Sequence, residues 1–484
     1  MSVEVAVRQH WVSMTLAVGV VGAAVGVGAI GAVSPRMAVA AGMAASLTAI
    51  AYAYPKLALL AGVALLPTLP GLQRGLIVPG LRLTELVAIG LGLLALQRVR
   101  RRPLMRFGHL EWLALAYVAG AVVIGTVNLV AHDIPANGDS IGKIIGPIQF
   151  GLVLFGLRAL VTDADDVRDI VRTLVCASVP VALVAIGQFL DAPGVRDLVV
   201  SLTGSETAPI AGQSGDIRAT GLFSHWHSLG GYLCFVLILV VACLFRDPPL
   251  PRWLMVGILA IDAAALLCTV TFAPILGALV GILIISWLHR RLLRTLAGLA
   301  VVAAVTAPVA MAALADRLGD QFQDAKPVYQ IDQADYPYLP QTVGFRIQVW
   351  VEQHLPALEP YPLLGWGTTV PPGVRWQYTE SVYLTLLTRG GLVLLTVYLA
   401  LMGAVLVRAI RSRRANPRGS TAAVAETVAV AVGVFAVMQL TNPYFTDAGF
   451  PQLWWLTAGI LLSLPFRDPH SPVLPRKAPH AQPA

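Results

Sequence analysis

The sequence predicts an all-α, polytopic membrane helix bundle, and three observations point to it. The 484-residue chain is 57% hydrophobic and only 12% charged, about half the charged share of an ordinary soluble protein. Apolar runs long enough to cross a hydrocarbon core of about 30 Å recur from Trp11 to Pro465. The arginines gather in the short stretches between those runs. A soluble enzyme of ordinary make-up is excluded.

Taken in order, segments of spanning length fall at 11–33, 37–54, 109–131, 143–161, 170–190, 222–245, 294–315, 381–407, 422–441 and 449–465. Shorter or closely spaced segments at 57–70, 81–96, 253–268 and 270–288 bring the expectation to about 12–14 transmembrane helices. Pro67, Pro70 and Pro274 are potential breaks in them. Arg8 precedes the first run, which is too long for a signal-peptide core and reads as a retained anchor.

Positive charge in short loops marks the cytoplasmic side. One parity places three clusters inside: Arg98, Arg100, Arg101, Arg102 and Arg106; Arg290, Arg291 and Arg294; and Arg408, Arg411, Arg413, Arg414 and Arg418. Both termini are then cytoplasmic, and 132–142, 191–217, 316–380 and 442–448 lie outside. The chain divides into N-terminal transmembrane helices (1–210), a second transmembrane region with a large external loop at 316–380 (211–465), and a disordered cytoplasmic tail (466–484). The net charge of +8 therefore reads as topogenic and lipid-facing, with no nucleic-acid partner expected. Four lysines against thirty arginines suggest a high-GC bacterium. Cys176, Cys234, Cys243 and Cys268 lie in or beside predicted spans without metal-ligand spacing, so buried or lipid-facing thiols are expected.

The polar residues concentrate in three places. The external loop carries Asp316, Asp320, Asp324, Asp332 and Asp335 with Tyr329, Tyr336 and Tyr338. Within it Ile347, Trp350, Val351, His354, Leu355 and Leu358 recur at helical spacing, predicting an amphipathic helix over 343–355 that lies on the membrane and ends near Pro356. Arg346 and Glu352 border its stripe. A second stretch, 212–233, brings Arg218, His225, Trp226 and His227 to the mouth of a transmembrane helix. Two histidines two residues apart do not share a helix face, so a metal site would need unwound backbone and a third ligand; interfacial polar residues satisfying a helix end are the plainer reading. Third, Glu380 precedes Ser381, a candidate N-cap, where the helix dipole favours an anion. Arg389 follows about 12 Å further along that helix, either as a functional group or paired with Asp262 or Glu426. Trp366, Trp376, Trp454 and Trp455 read as interfacial belt anchors, and Trp350 as the better sugar-side candidate.

These pieces fall in a recognisable order. Arg218-Ala-Thr-Gly221-Leu222-Phe223-Ser-His225-Trp-His227, then Arg346-Ile-Gln-Val-Trp350 with Pro362-Leu-Leu-Gly365-Trp-Gly367, then Glu380-Ser381-Val-Tyr383-Leu384 with Gly390-Gly391, resemble the bacterial O-antigen ligase and Wzy-type polysaccharide polymerase superfamily over roughly 212–465. The resemblance implies a GT-C-like, metal-independent, inverting glycosyltransferase with no cofactor. It would use an undecaprenyl-diphosphate-linked glycan donor and a glycan acceptor at the outer face of the cytoplasmic membrane, with a chain-length regulator as a candidate partner. It implies that Arg218 and Arg346 hold the diphosphate and that Glu380 is the general base, standing where ligases place a histidine. His225, His227, Trp350 and Arg389 complete the predicted substrate-binding set.

The first expectation is polymerisation of lipid-linked repeat units into exopolysaccharide, capsule or O-antigen. The alternatives are ligase-type transfer of such a glycan to another acceptor, and a transporter or flippase for lipid-linked sugars. For Arg218 a headgroup-directed snorkelling charge, for Arg346 an ion pair with Glu352 or Glu359, and for Glu380 a helix-capping anion remain open readings.

Overall fold

The computed structural model describes residues 53–76, 81–99, 107–135, 137–204, 218–320, 340–445 and 449–463. The spans predicted over 11–33 and 37–54, the tail, Arg100–Arg106, and Asp324, Asp332, Asp335, Tyr329, Tyr336 and Tyr338 lie outside the described residues, apart from the last two residues of the 37–54 segment. Among the described residues all regular structure is helical. The elements are α1 (Pro55–Thr68), α2 (Leu83–Val99), α3 (His109–Ala131), α4 (Gly138–Ile145), α5 (Ile148–Leu160), α6 (Ala164–Phe189), α7 (Val195–Thr203), α8 (Trp226–Phe245), α9 (Arg252–Cys268), α10 (Phe272–Leu288) and α11 (Leu292–Asp320). Then come α12 (Gln341–Val349), continued by a π-helical turn (Trp350–His354) and one further turn (Leu355–Leu358), and α13 (Val382–Ala415), α14 (Gly419–Met438) and α15 (Phe450–Ser463).

Among the described residues six helical runs are long and apolar enough to cross a membrane: His109–Ala131, Ser140–Leu160 (α4 and α5 together), Ala164–Phe189, Trp226–Phe245, Val382–Ala415 and Gly419–Met438. The chain is therefore a polytopic membrane protein. Each expected span within the described residues is helical, including the four short ones. Pro67 sits in the last turn of α1, and Pro274 in the first turn of α10, where its missing N–H has no intrahelical partner to lose. The span expected over 143–161 is interrupted at Gly146-Pro147, where α4 gives way to α5.

α8 is the central helix. It is apolar all round, and it is buried all round from His227 to Cys243. α6, α9, α10, α14 and α15 pack against it. Gly277 and Gly281, one turn apart on α10, let that helix close on its neighbours: a Cβ at Gly277 would meet Met438 of α14, and one at Gly281 would meet Ile238 of α8. α3 packs on α13, and α15 on α5, so helices from before and after residue 210 share one core.

Trp454 and Trp455 correct an expectation. They are 2% and 0% exposed, with Trp455 ringed by Tyr117, Phe150 and Phe445. They are core residues, not interfacial anchors, because the aromatic residues of α3 and α5 face them across the bundle. All four cysteines are free, three buried and Cys176 exposed.

The bundle has two chemically different ends. At one, Glu426 of α14 is only 1% exposed and lies 3.0 Å from Arg246, 3.1 Å from His289 and 3.6 Å from Arg413. Arg158 pairs with Glu111 at 3.1 Å, Arg98 donates to the Leu160 carbonyl, and Arg408 to that of Leu461. The predicted partners of Arg389 are thus engaged elsewhere: Glu426 in this hub, and Asp262 as acceptor of the Ser178 hydroxyl at 2.8 Å. The opposite end carries the residues singled out by the sequence.

Candidate functional site

The turn before α8 is fixed from three sides. The Gln188 side chain, at the end of α6, accepts from the backbone N–H groups of Thr220 (2.9 Å) and Gly221 (2.8 Å). Ala219 N–H reaches the Cys268 carbonyl at the end of α9, and Leu222 accepts from Gly71 N–H. The helix then starts at Trp226, four residues later than the apolar run suggested, because 222–225 are spent in this turn.

His225 stays extended (φ −153°) ahead of the helix. That backbone break lets two histidines two residues apart approach, with ring centroids 3.9 Å apart. The Arg218 guanidinium lies 4.9 Å from the Trp226 ring centroid, close enough for a cation–π contact. Burial first, then His227 and Arg218, hold the His225 imidazole well below the ordinary histidine range. Its Nδ1 is buried with no partner. His227 packs edge-on against Tyr444, 5.9 Å away. Among the described residues no three His, Cys, Asp or Glu side chains are grouped to hold a metal ion.

The second cluster is built by α12 lying along the extended segment 375–380. Gln353 Oε1 accepts from the N–H groups of Arg375 and Trp376, each at 3.0 Å. His354 Nε2 donates to the Trp376 carbonyl at 3.1 Å, Trp350 Nε1 to the Thr379 carbonyl at 2.7 Å, and Arg346 Nη2 lies 3.4 Å from Glu380 Oε2. Four side chains on three successive turns thus lace the segment down, ending on Glu380. Burial pushes His354 below the usual histidine range against the pull of the Trp376 and Tyr378 carbonyls.

This geometry revises several expectations. The helix runs on to Leu358 rather than ending near Pro356. Pro356 cannot donate to the fourth carbonyl before it, and the wider π turn directly ahead of it absorbs that loss. The same turn splits the expected apolar stripe: His354 and Leu358 are buried, while Val351 and Leu355 point outward. Arg346 pairs with Glu380 rather than Glu352, which accepts from Gln348. Trp350 spends its indole N–H on the loop backbone, one residue from Glu380.

Glu380 occupies the left-handed region (φ 52°), a strained conformation for a side-chain-bearing residue. The residues after it hold it there. Ser381 is the N-cap of α13, but its hydroxyl does not cap; it donates to the Gln439 carbonyl at 3.2 Å. Val382 N–H donates to the same carbonyl at 3.0 Å. The Gln439 side chain in turn accepts from Tyr398. Arg346 and Glu380 are 18% and 21% exposed, so the pair is accessible at one edge. Its 3.4 Å separation is longer than the 2.7–2.9 Å typical of a closed charge-assisted bond. Arg346 Nε is buried without a partner.

Below this pair α13 is broken. Gly391 (φ 62°, ψ −163°) leaves helical geometry, and the loop Pro362–Gly367 threads into the opening. Trp366 N–H takes the Thr388 carbonyl at 2.6 Å, while Leu392 and Val393 N–H turn to the carbonyls of Pro362 and Leu363. Glycine is needed on both strands of this exchange. A Cβ at Gly391 would stand 2.2 Å from the Leu363 carbonyl, and one at Gly365 would stand 2.5 Å from that of Thr388. Asn128, at the end of α3, donates to the Leu364 carbonyl at 2.9 Å. His132 stacks on Trp366, 4.8 Å away. Trp366 is therefore a packed clasp of this loop. Arg389 lies at the break, two residues before Gly391, and is half-buried.

Both clusters meet the same end of α14. Gln439 anchors Ser381 and Val382, and Tyr444, five residues on, meets His227. Arg218, His225 and His227 therefore share one end of the bundle with Arg346, Trp350 and Glu380. Gln188, Gln353 and Gln439 organise this end and were not singled out from sequence: Gln188 and Gln439 are lone amides in or beside apolar runs, and Gln353 is one polar residue among Glu352 and His354, so none has a spacing to read. A cavity of about 760 Å³ lies instead at the basic end, around Trp287–Arg294. No family model matches the chain, and no curated protein matches it.

Proposed function

We propose that this protein is a membrane glycosyltransferase that polymerises undecaprenyl-diphosphate-linked repeat units at the outer face of a bacterial cytoplasmic membrane. The observation that carries the reading is the Arg346–Glu380 pair, 3.4 Å apart, on the end of the bundle opposite the basic hub and shared with Arg218. By the positive-inside rule the basic end is cytoplasmic and the paired end external.

In this mechanism the acceptor hydroxyl oxygen attacks the anomeric carbon of the donor. The bond from that carbon to the diphosphate oxygen breaks, and its electron pair leaves on the diphosphate. Glu380 takes the hydroxyl proton, and the configuration inverts. Arg346 meets the growing negative charge at the exposed edge of its pair with Glu380, and Arg218 supplies a second guanidinium. Displacing a loose ion pair costs the incoming anion less than breaking a closed one. Neutral His225, packed on Trp226 beside Arg218, walls the proposed donor site.

The test is a vesicle assay with lipid-linked repeat units. Arg218→Ala and Arg346→Ala should each lower product about 10²–10³-fold, the effect of losing a transition-state donor. Glu380→Gln should lower it about 10²–10⁴-fold, the effect of losing a general base. Wild-type yield from either arginine variant, with normal folding, removes that residue from the diphosphate role. Cells lacking the gene should accumulate single repeat units at the outer face. Full-length unattached chains would mean a ligase, and units trapped on the inner leaflet a flippase.

A further inference from the structure

The corner between α10 and α11 is chemically unlike the rest of the basic end. α10 closes on itself through Arg290 N–H to the Trp287 carbonyl and Arg291 N–H to that of Ser286, with Arg290 left-handed (φ 55°). The chain reverses within three residues and presents Arg290, Arg291 and Arg294 to the outside. The nearest buried carboxylate, Glu426, is already engaged by Arg246, His289 and Arg413. Arg291 lies over the Phe245 ring, 5.5 Å from its centroid, which holds one guanidinium against the bundle.

The space these residues surround has a volume of about 760 Å³, within the range of a small-ligand site and far more than a bare phosphate needs. Its walls are not only cationic. Leu288 lines it, and Trp287 and Leu293 at its rim are 68% and 83% exposed. A soluble anion has no use for an exposed indole and leucine beside its guanidiniums. A phospholipid does: a phosphodiester on the arginines, glycerol beside the indole at headgroup level, and acyl chains down the outward leucines.

We infer that the α10–α11 corner is a binding site for the phosphodiester headgroup of an anionic glycerophospholipid. The site is independent of the glycosyl-transfer reading. It adjoins the Glu426 hub through His289, so an occupied site would brace α10 against α8, α13 and α14 at that end.

Native mass spectrometry of the full-length protein in detergent tests this with phosphatidylglycerol and phosphatidylcholine in parallel. Phosphatidylglycerol adducts should persist where phosphatidylcholine adducts do not. Each guanidinium near an anionic headgroup is worth about fivefold in affinity, so Arg294→Gln should weaken phosphatidylglycerol about fivefold, and the combined Arg290→Gln, Arg291→Gln and Arg294→Gln variant about a hundredfold. Arg411→Gln with Arg414→Gln, neutralising exposed arginines elsewhere at the same end, should leave affinity unchanged. Equal binding of the two lipids overturns the proposal without recourse to any variant. So does undiminished phosphatidylglycerol binding by Arg294→Gln, or displacement of the lipid by millimolar inorganic phosphate, which would make this a soluble-anion site.

Discussion

Trp350 illustrates how a single polar atom decides a side chain's role. Its ring is half-buried, and its N–H is committed to the Thr379 carbonyl at 2.7 Å, immediately before the strained Glu380. Trp350→Phe keeps the aromatic face and deletes the donor, a loss of about 1 kcal/mol in a typical hydrogen bond. If Trp350 positions Glu380, turnover should fall about fivefold in Trp350→Phe with KM for the lipid-linked donor little changed. A sugar-stacking tryptophan would give the opposite split, with Phe tolerated and KM raised only on removal of the ring. Steady-state kinetics of the two variants, Phe and Ala, separate these outcomes. At this scale the residues of the candidate site stand out in the sequence: Arg218 and Glu380 as charges before apolar runs, and Arg346 at the border of an amphipathic stripe. Their mutual arrangement was not, because the partner of Arg346 is 34 residues away and nearer carboxylates were available. Trp454 and Trp455 were misread for a related reason. Position near the end of a run says nothing of whether Tyr117 and Phe150 wait on the other side.

Elements show the same division between pattern and partner. A Gly-Gly pair in a long transmembrane helix is a visible weak point, and Gly390-Gly391 marks one. What the sequence does not reveal is that the loop 362–367 takes over the hydrogen bonds released there. Gly391→Ala places a Cβ against the Leu363 carbonyl at a φ/ψ that essentially only glycine adopts, so it carries both a backbone penalty of about 1–3 kcal/mol and a steric clash. Gly403→Ala, twelve residues along the same helix, meets nothing within 4 Å and gains helix propensity of up to about 1 kcal/mol. Thermal denaturation in detergent should show Gly391→Ala melting clearly below wild type and Gly403→Ala at or above it. Equal melting temperatures would mean the loop is not stitched into the helix. The π turn of α12 belongs to this class as well: Pro356 was read as a terminator, and the helix instead widens by one residue and continues.

For the molecule as a whole, the two ends follow from charge placement, which is why fold class, and the gathering of the arginine clusters at one end, were readable from composition and spacing. The Glu426 hub is where that reading acquires energetic content. Four helices are tied through one buried carboxylate, and removing it strands Arg246 and Arg413. Glu426→Ala should destabilise the protein by about 3–5 kcal/mol, the cost of breaking a buried pair. Arg413→Gln should cost under about 1 kcal/mol, because that contact is the longest at 3.6 Å and a third exposed. The yield of folded protein and the unfolding midpoint check both, and a Glu426→Ala variant as stable as wild type would make the hub incidental. The length of α13 bears on a different matter. Its 34 residues amount to roughly 51 Å at 1.5 Å per residue, well beyond a hydrocarbon core of about 30 Å. Counting some twenty residues back from Arg408, whose guanidinium reaches Leu461 near the basic end, arrives at Thr388 and Arg389. Taking Arg408 as one boundary of the lipid would set the break at Gly391 at the waterline, with the first turns of α13 and the threaded loop beside them as a parapet above it and Arg389 at headgroup level.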